Sequence, residues 1–588
     1  MYLENINTSN DVKKLTSDQL TTLATEMRSA LIKKASMVGG HLASNLGVVE
    51  LTIAMHYVFD FPKDEIVYDV AHQTYCHKML TGRSNAFLDE SLYHSVTGYT
   101  NPDESESDLF ATGHSSVSIS LACGLAKARD LKKEKKNIIA FIGDSAMDGG
   151  QAFEGLNMAG SMSSGIIIVI NDNNYSIAEN YGALASHLNT LRMNNGIVKD
   201  NLFKSLGFDY HFVNNGHDIG TLIKEFNTVK DINHPVIIHV CTKKGKGYKI
   251  AENDPENWHW AYPFDIKTGQ WKTSRNNENY GKISHQYILN KMKVDSNVVL
   301  VTAATMFCVG FDTLNRRKEA GEQYIDVGIA EQNAVSIATG LCKAGMKPIF
   351  ATHSTFYQRA YDQIEEEMCI NHIPVTMILT HGSIFGHKND THIGLLDIAL
   401  YGNVPGLTYL SPTNKQEYIA MLDWSINQQK YPVLIRVPWN GVYEAKHEVA
   451  LEYNETKYQI TQKGNKVAII ALGDFYQLGE KVATLLEREY AIKTTLINPR
   501  FISGTDTEML ETLKKYHNLV VTLEDGYKSG GFGSKITQYY SSYEMKVLNK
   551  GFDLEMPREF SADEMIRKNR LEPEQIVDDI VKILKDNK

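Results

Sequence analysis

Apolar positions in the middle of the chain form two short runs with a helical pattern between them. Residues 137–143 are an apolar run that ends at a glycine, and residues 165–170 are a second apolar run. Apolar residues recur at helical spacing over 151–159. Runs this short are typical of strands buried on both faces, so the segment predicts a strand, a helix and a second strand parallel to the first.

The same alternation predicts α/β structure in the rest of the chain. A helical stripe covers residues 17–57 around the loop GGHLASNLG, and the helix that begins near residue 328 closes at Gly345. Strands and helices alternate again from residue 466 to a charged final helix. A length of 588 residues suggests three or four domains, and the polar segment 266–280 marks a boundary. We predict three α/β domains, over residues 1–270, 281–445 and 460–588.

Two side chains with oxygen ligands follow the two central strands. Asp144 comes directly after the first apolar run and Asn173 shortly after the second. The carboxyl ends of parallel strands meet at one edge of a sheet, where open α/β sheets bind their ligands. Together with a backbone carbonyl near Tyr175, these groups suit a hard cation such as Mg²⁺ that also binds phosphate oxygens. The alternative is that Asp144 caps the next helix and Asn173 makes a turn.

Composition and charge exclude several classes of function. The formal charge is −10 and the basic residues are scattered, so there is no electrostatic footprint for nucleic acid or an anionic membrane. Six widely spaced cysteines include no C-x-x-C pair, so neither a zinc cage nor a disulfide framework is indicated. The first residues lack a signal-peptide pattern, and no apolar run approaches the roughly 18 residues of a membrane helix. We expect a soluble cytoplasmic protein that acts on small molecules.

Several motifs together carry a resemblance to a known family. The pattern GDSA followed by NDN, around Asp144 and Asn173, is similar to the cofactor motif of thiamine diphosphate enzymes. The blocks GGHLASNLGVVELTIAMHYVFD, AHQTYCHKMLTGR, ATGHSSVSIS and DVGIAEQNAV resemble the 1-deoxy-D-xylulose-5-phosphate synthases, which are relatives of transketolase. The blocks follow that family's order over nearly the whole chain. The resemblance implies a diphosphate-binding domain, a pyrimidine-binding domain and a smaller C-terminal domain.

The resemblance also implies the cofactors and the residues that hold them. It implies thiamine diphosphate bound with Mg²⁺, with Asp144, Asn173 and Tyr175 as metal ligands. Glu331, in the first turn of its helix, would hydrogen-bond the aminopyrimidine ring, and Phe356 would stack on that ring. The alternative for Glu331 is a charge that only complements the helix dipole. Because the cofactor needs parts of two domains, usually at a subunit interface in this superfamily, a homodimer is expected.

The expected phosphate contacts lie mainly where a helix begins. The segment GHSSVSIS opens a predicted helix whose free N–H groups and hydroxyls can hold phosphate oxygens, although a simple helix cap would look the same. By resemblance, the cofactor-binding residues besides the metal ligands, Glu331 and Phe356 are His72, Gly113, His114, Ser115, Ser145, Ala146 and Tyr248.

Histidines dominate the expected catalytic set. The resemblance places four of them where they would orient the substrates and move protons, although a single His is more often a structural residue. Arg359 matches a ligand of the acceptor phosphate, and its guanidinium can bind two phosphate oxygens. The expected catalytic residues are Glu331, His41, His72, His259 and His392.

The chain departs from the family in the expected acceptor site. His381 and Lys388 stand where the family has an Arg and an Asp, and His353 replaces a Tyr. Arg436 is kept, but Trp439 stands where relatives have a second phosphate-binding Arg. Each lost charge-assisted bond removes about 1.5 to 3 kcal/mol of binding. With Arg359 and His392, the residues at 353, 381, 388 and 439 form the predicted substrate site, and the family's long insert after residue 173 is largely missing.

Two functions are consistent with these residues. The first is the thiamine-diphosphate-dependent condensation of pyruvate with glyceraldehyde 3-phosphate to 1-deoxy-D-xylulose 5-phosphate and CO₂, with Lys388 and nearby histidines as a new anion site. The alternative is a paralogous transketolase-like carboligase whose donor or acceptor differs because of Lys388, His381 and Trp439. A catalytically silent homologue is disfavoured, because such a protein has no physical need for Asp144, Asn173 and Glu331 together.

Overall fold

The computed structural model describes residues 1–273, 278–386, 389–556 and 560–586. These residues form two compact units, one of Met1–Asn277 with Gly328–Ala330 and one of Glu278–Val327 with Glu331–Lys588. Three β-sheets flanked by helices confirm the predicted α/β class and the three-domain organisation. Within the described ranges, no helix is both long and apolar enough to span a membrane.

The first unit is built on a five-stranded parallel sheet with the order β1-β2-β3-β5-β4. The predicted strand, helix and strand are β2, the helix Gly150–Gly160 and β3. Every residue of β3 is buried, which explains its unbroken apolar run. The strands are β1 (Glu65–Tyr68), β2 (Ile138–Gly143), β3 (Ile166–Asp172), β4 (Asp209–Val213) and β5 (Pro235–Cys241).

Helices cover both faces of this sheet. The segment predicted as a loop at GGHLASNLG contains a short helix, Leu42–Leu46, and this part of the prediction was wrong. Leu42 and Leu46 are buried on the same helical face, and Asn45 donates to the carbonyls of His41 and His72, so burial overrides the glycine signal. The longer helices of the unit are Ser17–Val38, Val49–Val58, Ser118–Lys132, Gly150–Gly160, Ala183–Met193 and Ile219–Val229.

The second unit begins with a six-stranded parallel sheet with the order β10-β11-β9-β8-β6-β7. Its longer helices are Tyr280–Val294, Glu331–Lys343 and Lys415–Asn427. Gly345, just beyond the second of these, has φ +91°, as the predicted helix end requires. The strands are β6 (Val298–Thr302), β7 (Tyr324–Asp326), β8 (Lys347–His353), β9 (Thr376–Thr380), β10 (Thr408–Leu410) and β11 (Val433–Arg436).

The same unit ends in a five-stranded mixed sheet with the order β12-β14-β13-β15-β16, in which only β12 is antiparallel to its neighbour. Its strands are β12 (Gln459–Gln462), β13 (Lys466–Ala471), β14 (Thr495–Asn498), β15 (His517–Tyr527) and β16 (Lys546–Phe552). Its longer helices are Tyr476–Tyr490, Thr507–Tyr516, Phe532–Tyr540, Ala562–Lys568 and Pro573–Lys585.

A buried ion cluster joins the two sheets of the second unit. Arg436, at the end of β11, donates to Asp397 at 2.6 Å and to both oxygens of Asp525 in β15 at 2.7 and 2.8 Å. Arg436 is 2 % exposed and both aspartates are fully buried. Its guanidinium is therefore committed to two carboxylates and is not presented to a substrate phosphate.

Candidate functional site

Asp144 lies at the carboxyl edge of the first sheet, directly after β2. Its Oδ1 accepts the N–H of Ser145 at 2.9 Å, and its Oδ2 accepts the N–H groups of Asn173 at 3.0 Å and Asn174 at 2.7 Å. The carboxyl group is 3 % exposed. The ends of β2 and β3 therefore meet at this residue, as the position rule for parallel sheets predicts.

A second carboxylate sets the charge at this edge. Burial and the charge of Asp172 raise the pKa of Asp144 to about 8. Burial also opposes ionisation of Asp172, but the hydrogen bond from His239 at 2.8 Å and the charge of Arg192 lower its pKa. The pair therefore favours one fixed negative charge on Asp172, with a second at Asp144 that a cation would stabilise.

Asn173 and Ser145 are held beside Asp144 by local hydrogen bonds. The side-chain Oδ1 of Asn173 accepts the N–H of Tyr175 at 3.1 Å, which is an Asx turn, and Asn174 has φ +67°. Both contacts of the non-metal interpretation are therefore present, namely the cap by Asp144 and the turn by Asn173. Neither contact removes the oxygen atoms that a hard cation needs, since each oxygen can accept more than one partner.

The N–H groups at the start of the helix Ser118–Lys132 are not all free, although the sequence analysis expected them to be. Asp69, directly after β1, accepts the N–H of Ser116 at 2.7 Å and that of Ser118 at 2.9 Å. Ser116 has φ +72°, which turns its N–H toward this carboxylate. The prediction of free donors was wrong at these two positions, because a buried aspartate already occupies the positive end of the helix.

Three of the predicted histidines form one cluster in the first unit. The ring centres of His41 and His72 are 5.0 Å apart, those of His41 and His259 are 5.5 Å apart, and those of His72 and His259 are 5.2 Å apart. Trp260 lies with its ring centre 4.6 Å from that of His41. Desolvation and the charge of Lys244 lower the pKa of His72 to about 3 and hold that of His259 well below its usual range. Both rings are therefore neutral near pH 7.

Lys244 connects the histidine cluster with the loop after Asn173. The interpretation of the sequence missed this residue. Its Nζ lies 3.1 Å from His259 Nδ1 and also donates to the carbonyl of Ser176, next to Tyr175. The residue is 4 % exposed, and burial lowers its pKa to about 7. Lys244 is the third residue after β5, and Asp69 follows β1 directly. The rule that drew attention to Asp144 could have found both.

Tyr248 packs among aromatic side chains of the first unit. Its hydroxyl donates to the carbonyl of Ile266 at 3.0 Å, and its ring packs against Trp258 and Phe264 with ring centres 5.2 and 5.8 Å away. The residue is 7 % exposed. These are contacts of a core residue, and the assignment of Tyr248 to the cofactor stays a prediction.

Glu331 is the first residue of the helix Glu331–Lys343 in the second unit. It is 1 % exposed, and its Oε2 accepts no hydrogen bond from the described residues. The nearest cation is Arg359, whose Nη1 is 3.9 Å from that oxygen. Burial raises the pKa of Glu331, and Arg359 lowers it by a smaller amount. A buried carboxyl oxygen with an open acceptor position fits a ligand that donates a hydrogen bond.

Phe356 and two histidines pack together in the second unit. The ring centre of Phe356 is 5.4 Å from that of His392 and 5.2 Å from that of His353. His392 Nδ1 lies 2.8 Å from the hydroxyl of Thr391 and 3.1 Å from Oδ1 of Asn389, which fix the ring. The structure therefore brings the predicted residues 353, 356 and 392 together.

The substituted residues His381 and Trp439 continue this group of rings. The ring centre of His381 is 3.7 Å from that of His353 and 3.7 Å from that of Trp439. His381 has φ +55°, an uncommon backbone conformation that orients its ring. The backbone N–H of Trp439 donates to Asp474 at 2.8 Å. The predicted substrate residue Lys388 lies outside the described residues.

Comparison with protein families bears on the whole chain. The N-terminal family model described as 1-deoxy-D-xylulose-5-phosphate synthase matches residues 3–201 and 192–242. A synthase of this name from Lachnoclostridium phytofermentans is 38% identical over 98% of this chain and 98% of its own. This chain belongs to the 1-deoxy-D-xylulose-5-phosphate synthase family. The family's transketolase relatives appear in the other two matches, the pyrimidine-binding domain at residues 277–442 and the C-terminal domain at 456–576.

Further synthase relatives cover the chain equally well. The synthase of Alkaliphilus oremlandii is 38% identical over 100% of this chain and 99% of its own. The N-terminal model matches in two pieces that overlap at residues 192–201, and the expected loss of the family's insert after residue 173 stays a prediction. A transketolase from Leishmania mexicana has a TM-score of 0.45 at 15% identity over 97% of this chain and 98% of its own, a likeness too distant to carry an argument. The chain is an enzyme of the transketolase family.

Proposed function

We propose that this enzyme condenses pyruvate with glyceraldehyde 3-phosphate to form 1-deoxy-D-xylulose 5-phosphate and CO₂. The observation that carries the proposal is the full-length likeness to synthases of that name at 38% identity. In the reaction the C1–C2 bond of pyruvate breaks and CO₂ leaves. C2 then bonds the aldehyde carbon of the acceptor, whose oxygen takes one proton.

Thiamine diphosphate and Mg²⁺ are the proposed cofactors, with the metal held in the first unit. The metal would bind a carboxylate oxygen of Asp144, Oδ1 of Asn173 and the carbonyl of Tyr175, an all-oxygen set that suits Mg²⁺. The buried carboxyl of Asp144 fits a cation, since burial otherwise disfavours its charge. The proposed diphosphate contacts are His72, Gly113, His114, Ser115, Ser145 and Ala146.

The second unit would hold the aminopyrimidine ring. Glu331 offers the open oxygen described above, which fits a ring N–H, and Phe356 offers an aromatic face. When bound, the thiazolium supplies the carbanion chemistry that bond breakage at pyruvate requires. The protein's own contribution is to hold the ring, exclude water and keep Glu331 positioned for proton exchange.

The histidine cluster and Lys244 would orient the substrates. His72 and His259 are neutral at pH 7, so each ring offers one N–H donor and one nitrogen acceptor to the substrates. Lys244 lies between charged and neutral forms near that pH and can donate to a carboxylate or an oxyanion. His41 and, in the second unit, His392 complete the proposed catalytic set.

The residues predicted to bind the acceptor give some support to the alternative function, a paralogous carboligase. Of the residues predicted for the acceptor, Arg359 keeps a guanidinium, but His381 and Trp439 present two rings packed at an angle of 38°. Arg436 is neutralised by two aspartates. These contacts favour a paralogous carboligase whose acceptor depends less on phosphate binding, and an acceptor survey separates it from the first function.

The test measures CO₂ release from pyruvate with thiamine diphosphate and Mg²⁺, with and without glyceraldehyde 3-phosphate, and identifies the product by mass spectrometry. We expect the triose phosphate to accelerate CO₂ release and deoxyxylulose phosphate to accumulate. Glu331→Gln should abolish both, and the exposed Glu322→Gln should leave both unchanged. If CO₂ is released but the triose phosphate has no effect, the paralogous function replaces the first.

We also propose that the enzyme is a cytoplasmic homodimer. All six cysteines are free thiols, which supports a reducing compartment. Sedimentation equilibrium should give twice the chain mass of 66.1 kDa. A monomer mass at micromolar concentration, with full activity, would contradict the homodimer.

A further inference from the structure

Cys308, His353 and His381 meet at the carboxyl edge of the second unit's parallel sheet. Cys308 lies in the turn Met306–Val309 after β6, His353 ends β8, and His381 directly follows β9. These three strands are neighbours in the sheet, so their carboxyl ends converge. The residues are 4 %, 2 % and 7 % exposed.

Their spacing matches that of ligands around one metal ion. One ligand atom from each residue lies within 4.8 Å of the other two. The Sγ of Cys308 is 3.7 Å from Nδ1 of His353, and the two imidazole centres are 3.7 Å apart. A tetrahedral zinc with Zn–S of about 2.3 Å and Zn–N of about 2.0 to 2.1 Å separates its sulfur and nitrogen ligands by about 3.5 Å. Small side-chain rotations would bring the sulfur and the two nitrogens to these ligand distances.

The donor types select the class of ion. One sulfur and two imidazole nitrogens are soft and borderline ligands that suit Zn²⁺ and related transition metals, whereas Mg²⁺ and Ca²⁺ prefer oxygen. The aromatic rings of Phe307 and Trp439 pack against the two imidazoles, with ring centres 5.2 Å from His353 and 3.7 Å from His381. Such an apolar surround limits water access to an ion.

The backbone conformation of His381 is unusual. Its φ of +55° is uncommon for a residue with a side chain and costs free energy that the surrounding structure must offset. The segment is fixed by the paired contacts of Ser383 N–H to Gly394 carbonyl at 2.6 Å and Gly394 N–H to Ser383 carbonyl at 3.2 Å. The backbone beside His381 is thus held by these two hydrogen bonds while its imidazole lies against His353.

A cluster without an ion is the competing explanation. The hydroxyl of Thr380 lies 3.3 Å from Nδ1 of His353 and 3.1 Å from Nδ1 of His381, so a network of hydrogen bonds can also hold the two rings. The hydroxyl is equally suited to orient metal-bound imidazoles, as residues around metal ligands commonly do. Metal binding by the three side chains distinguishes the two explanations.

We propose that Cys308, His353 and His381 bind one Zn²⁺ or related transition-metal ion, with the remaining coordination position open to an exchangeable oxygen ligand. The site is separate from the proposed Mg²⁺ site, which uses only oxygen atoms of the first unit. It does not rest on the proposed reaction, since it depends only on these three side chains.

The experiment titrates the chelator-stripped full-length chain with Zn²⁺ and with Co²⁺ in the absence of thiamine diphosphate and substrates. We expect one tight Zn²⁺ per chain and, with Co²⁺, a thiolate charge-transfer absorption band. Cys308→Ser should remove the band and weaken Zn²⁺ binding at least tenfold, and His353→Gln should weaken it similarly. Circular dichroism checks that each variant is folded.

Two cysteine variants serve as matched controls. Cys342→Ser changes a thiol outside the cluster, and Cys241→Ser changes the other described group of possible ligands, Asp172, His239 and Cys241. Asp172 is already paired with Arg192 and His239, so we expect wild-type Zn²⁺ binding in both controls. The proposal is wrong if wild type binds no tight Zn²⁺, or if Cys308→Ser and His353→Gln bind it as wild type does. Neither result depends on the enzyme assay.

Discussion

Burial controls the charge of Lys244, the residue that connects the histidine cluster with the carbonyl of Ser176. At the residue scale, the first unit combines a lysine of lowered pKa with two histidines of lowered pKa, His72 and His259. Desolvation is the largest cause in all three, so their protonation follows from packing. Near pH 7 the two histidines are therefore neutral, and Lys244 is divided between its charged and neutral forms.

Replacing Lys244 with Met should stabilise the chain below neutral pH. Because the folded pKa of about 7 is below the unfolded value of 10.5, the unfolded chain binds the proton more tightly. Stability therefore rises with pH from about 7 toward 10.5, and the penalty is fully present below about 7. We expect Lys244→Met to gain on the order of 2 to 4 kcal/mol at pH 6 and little at pH 10, measured by urea denaturation of the cofactor-free chain.

The neighbouring Lys243 is the control for that measurement. Its side chain is 51 % exposed and pairs with Glu252, so Lys243→Met should change the free energy of unfolding by less than about 1 kcal/mol at either pH. Equal effects of the two variants, or a pH-independent effect of Lys244→Met, would show that burial does not set the charge of Lys244.

At the element scale, carboxylates fix the ends of helices and strands. Asp69 binds the first turn of Ser118–Lys132, and Glu524 in β15 accepts the N–H groups of Phe532 and Gly533, both at 2.8 Å, at the start of Phe532–Tyr540. Arg436 ties β11 to β15 through Asp525. Buried charges that satisfy backbone donors or each other thus determine how neighbouring elements meet.

Asp69→Ala should destabilise the start of the helix Ser118–Lys132. It leaves the N–H groups of Ser116 and Ser118 without their acceptor in a buried site, at a cost of about 1 to 3 kcal/mol. Hydrogen exchange of these amides should accelerate accordingly. Asp218→Ala, which removes an exposed cap on Ile219–Val229, should cost only about 1 kcal/mol. A loss for Asp69→Ala no larger than for Asp218→Ala would mean that water replaces the carboxylate.

Arg436→Met should be the most destabilising single change at this scale. It leaves the buried carboxyls of Asp397 and Asp525 without their cation, which typically costs 3 to 5 kcal/mol. Urea denaturation measures the loss, and adding Asp397→Asn with Asp525→Asn should recover part of it. Lys446→Met breaks the exposed pair with Glu480 and should cost under about 1 kcal/mol. A similarly small cost for Arg436→Met would contradict the assigned cluster.

At the scale of the whole molecule, the proposed cofactor residues are divided between two units. Asp144 belongs to the first unit, and Glu331 belongs to the second unit, 187 positions further along the chain. Each unit carries its own half of the proposed chemistry at the carboxyl edge of a parallel sheet. Binding measurements on the complete chain are therefore the appropriate test of the cofactor assignment.

Thiamine diphosphate with Mg²⁺ should raise the melting temperature of the complete chain by a few degrees. A ligand that binds only the folded chain adds about 2.7 kcal/mol at a concentration about 100 times its Kd. Asp144→Asn should lose the shift because it removes the proposed anionic metal ligand, and the exposed Asp200→Asn should keep it. A full shift in Asp144→Asn, or a shift that does not need Mg²⁺, would overturn the metal assignment.

The strand, helix and strand around Asp144 were predictable because parallel strands buried on both faces leave an unbroken apolar run. The same rule places Asp144 and Asn173 at one edge, and it applies equally to Asp69 and Lys244, which the interpretation of the sequence passed over. The N–H groups expected to be free at GHSSVSIS are instead bound by Asp69. This could not be predicted, because Asp69 follows a strand that is distant in sequence.

The sequence by itself determined the α/β class, the family, and which residue types end the central strands, because periodicity and local motifs are written along the chain. Tertiary structure alone decided that Arg436 is neutralised, that Tyr248 is a core residue, and that Lys244 reaches His259. It alone joined Cys308 to His353 and His381, since cysteine spacing showed no metal motif. Burial and contacts between distant residues set these charges and clusters, and neither has a signature in local sequence.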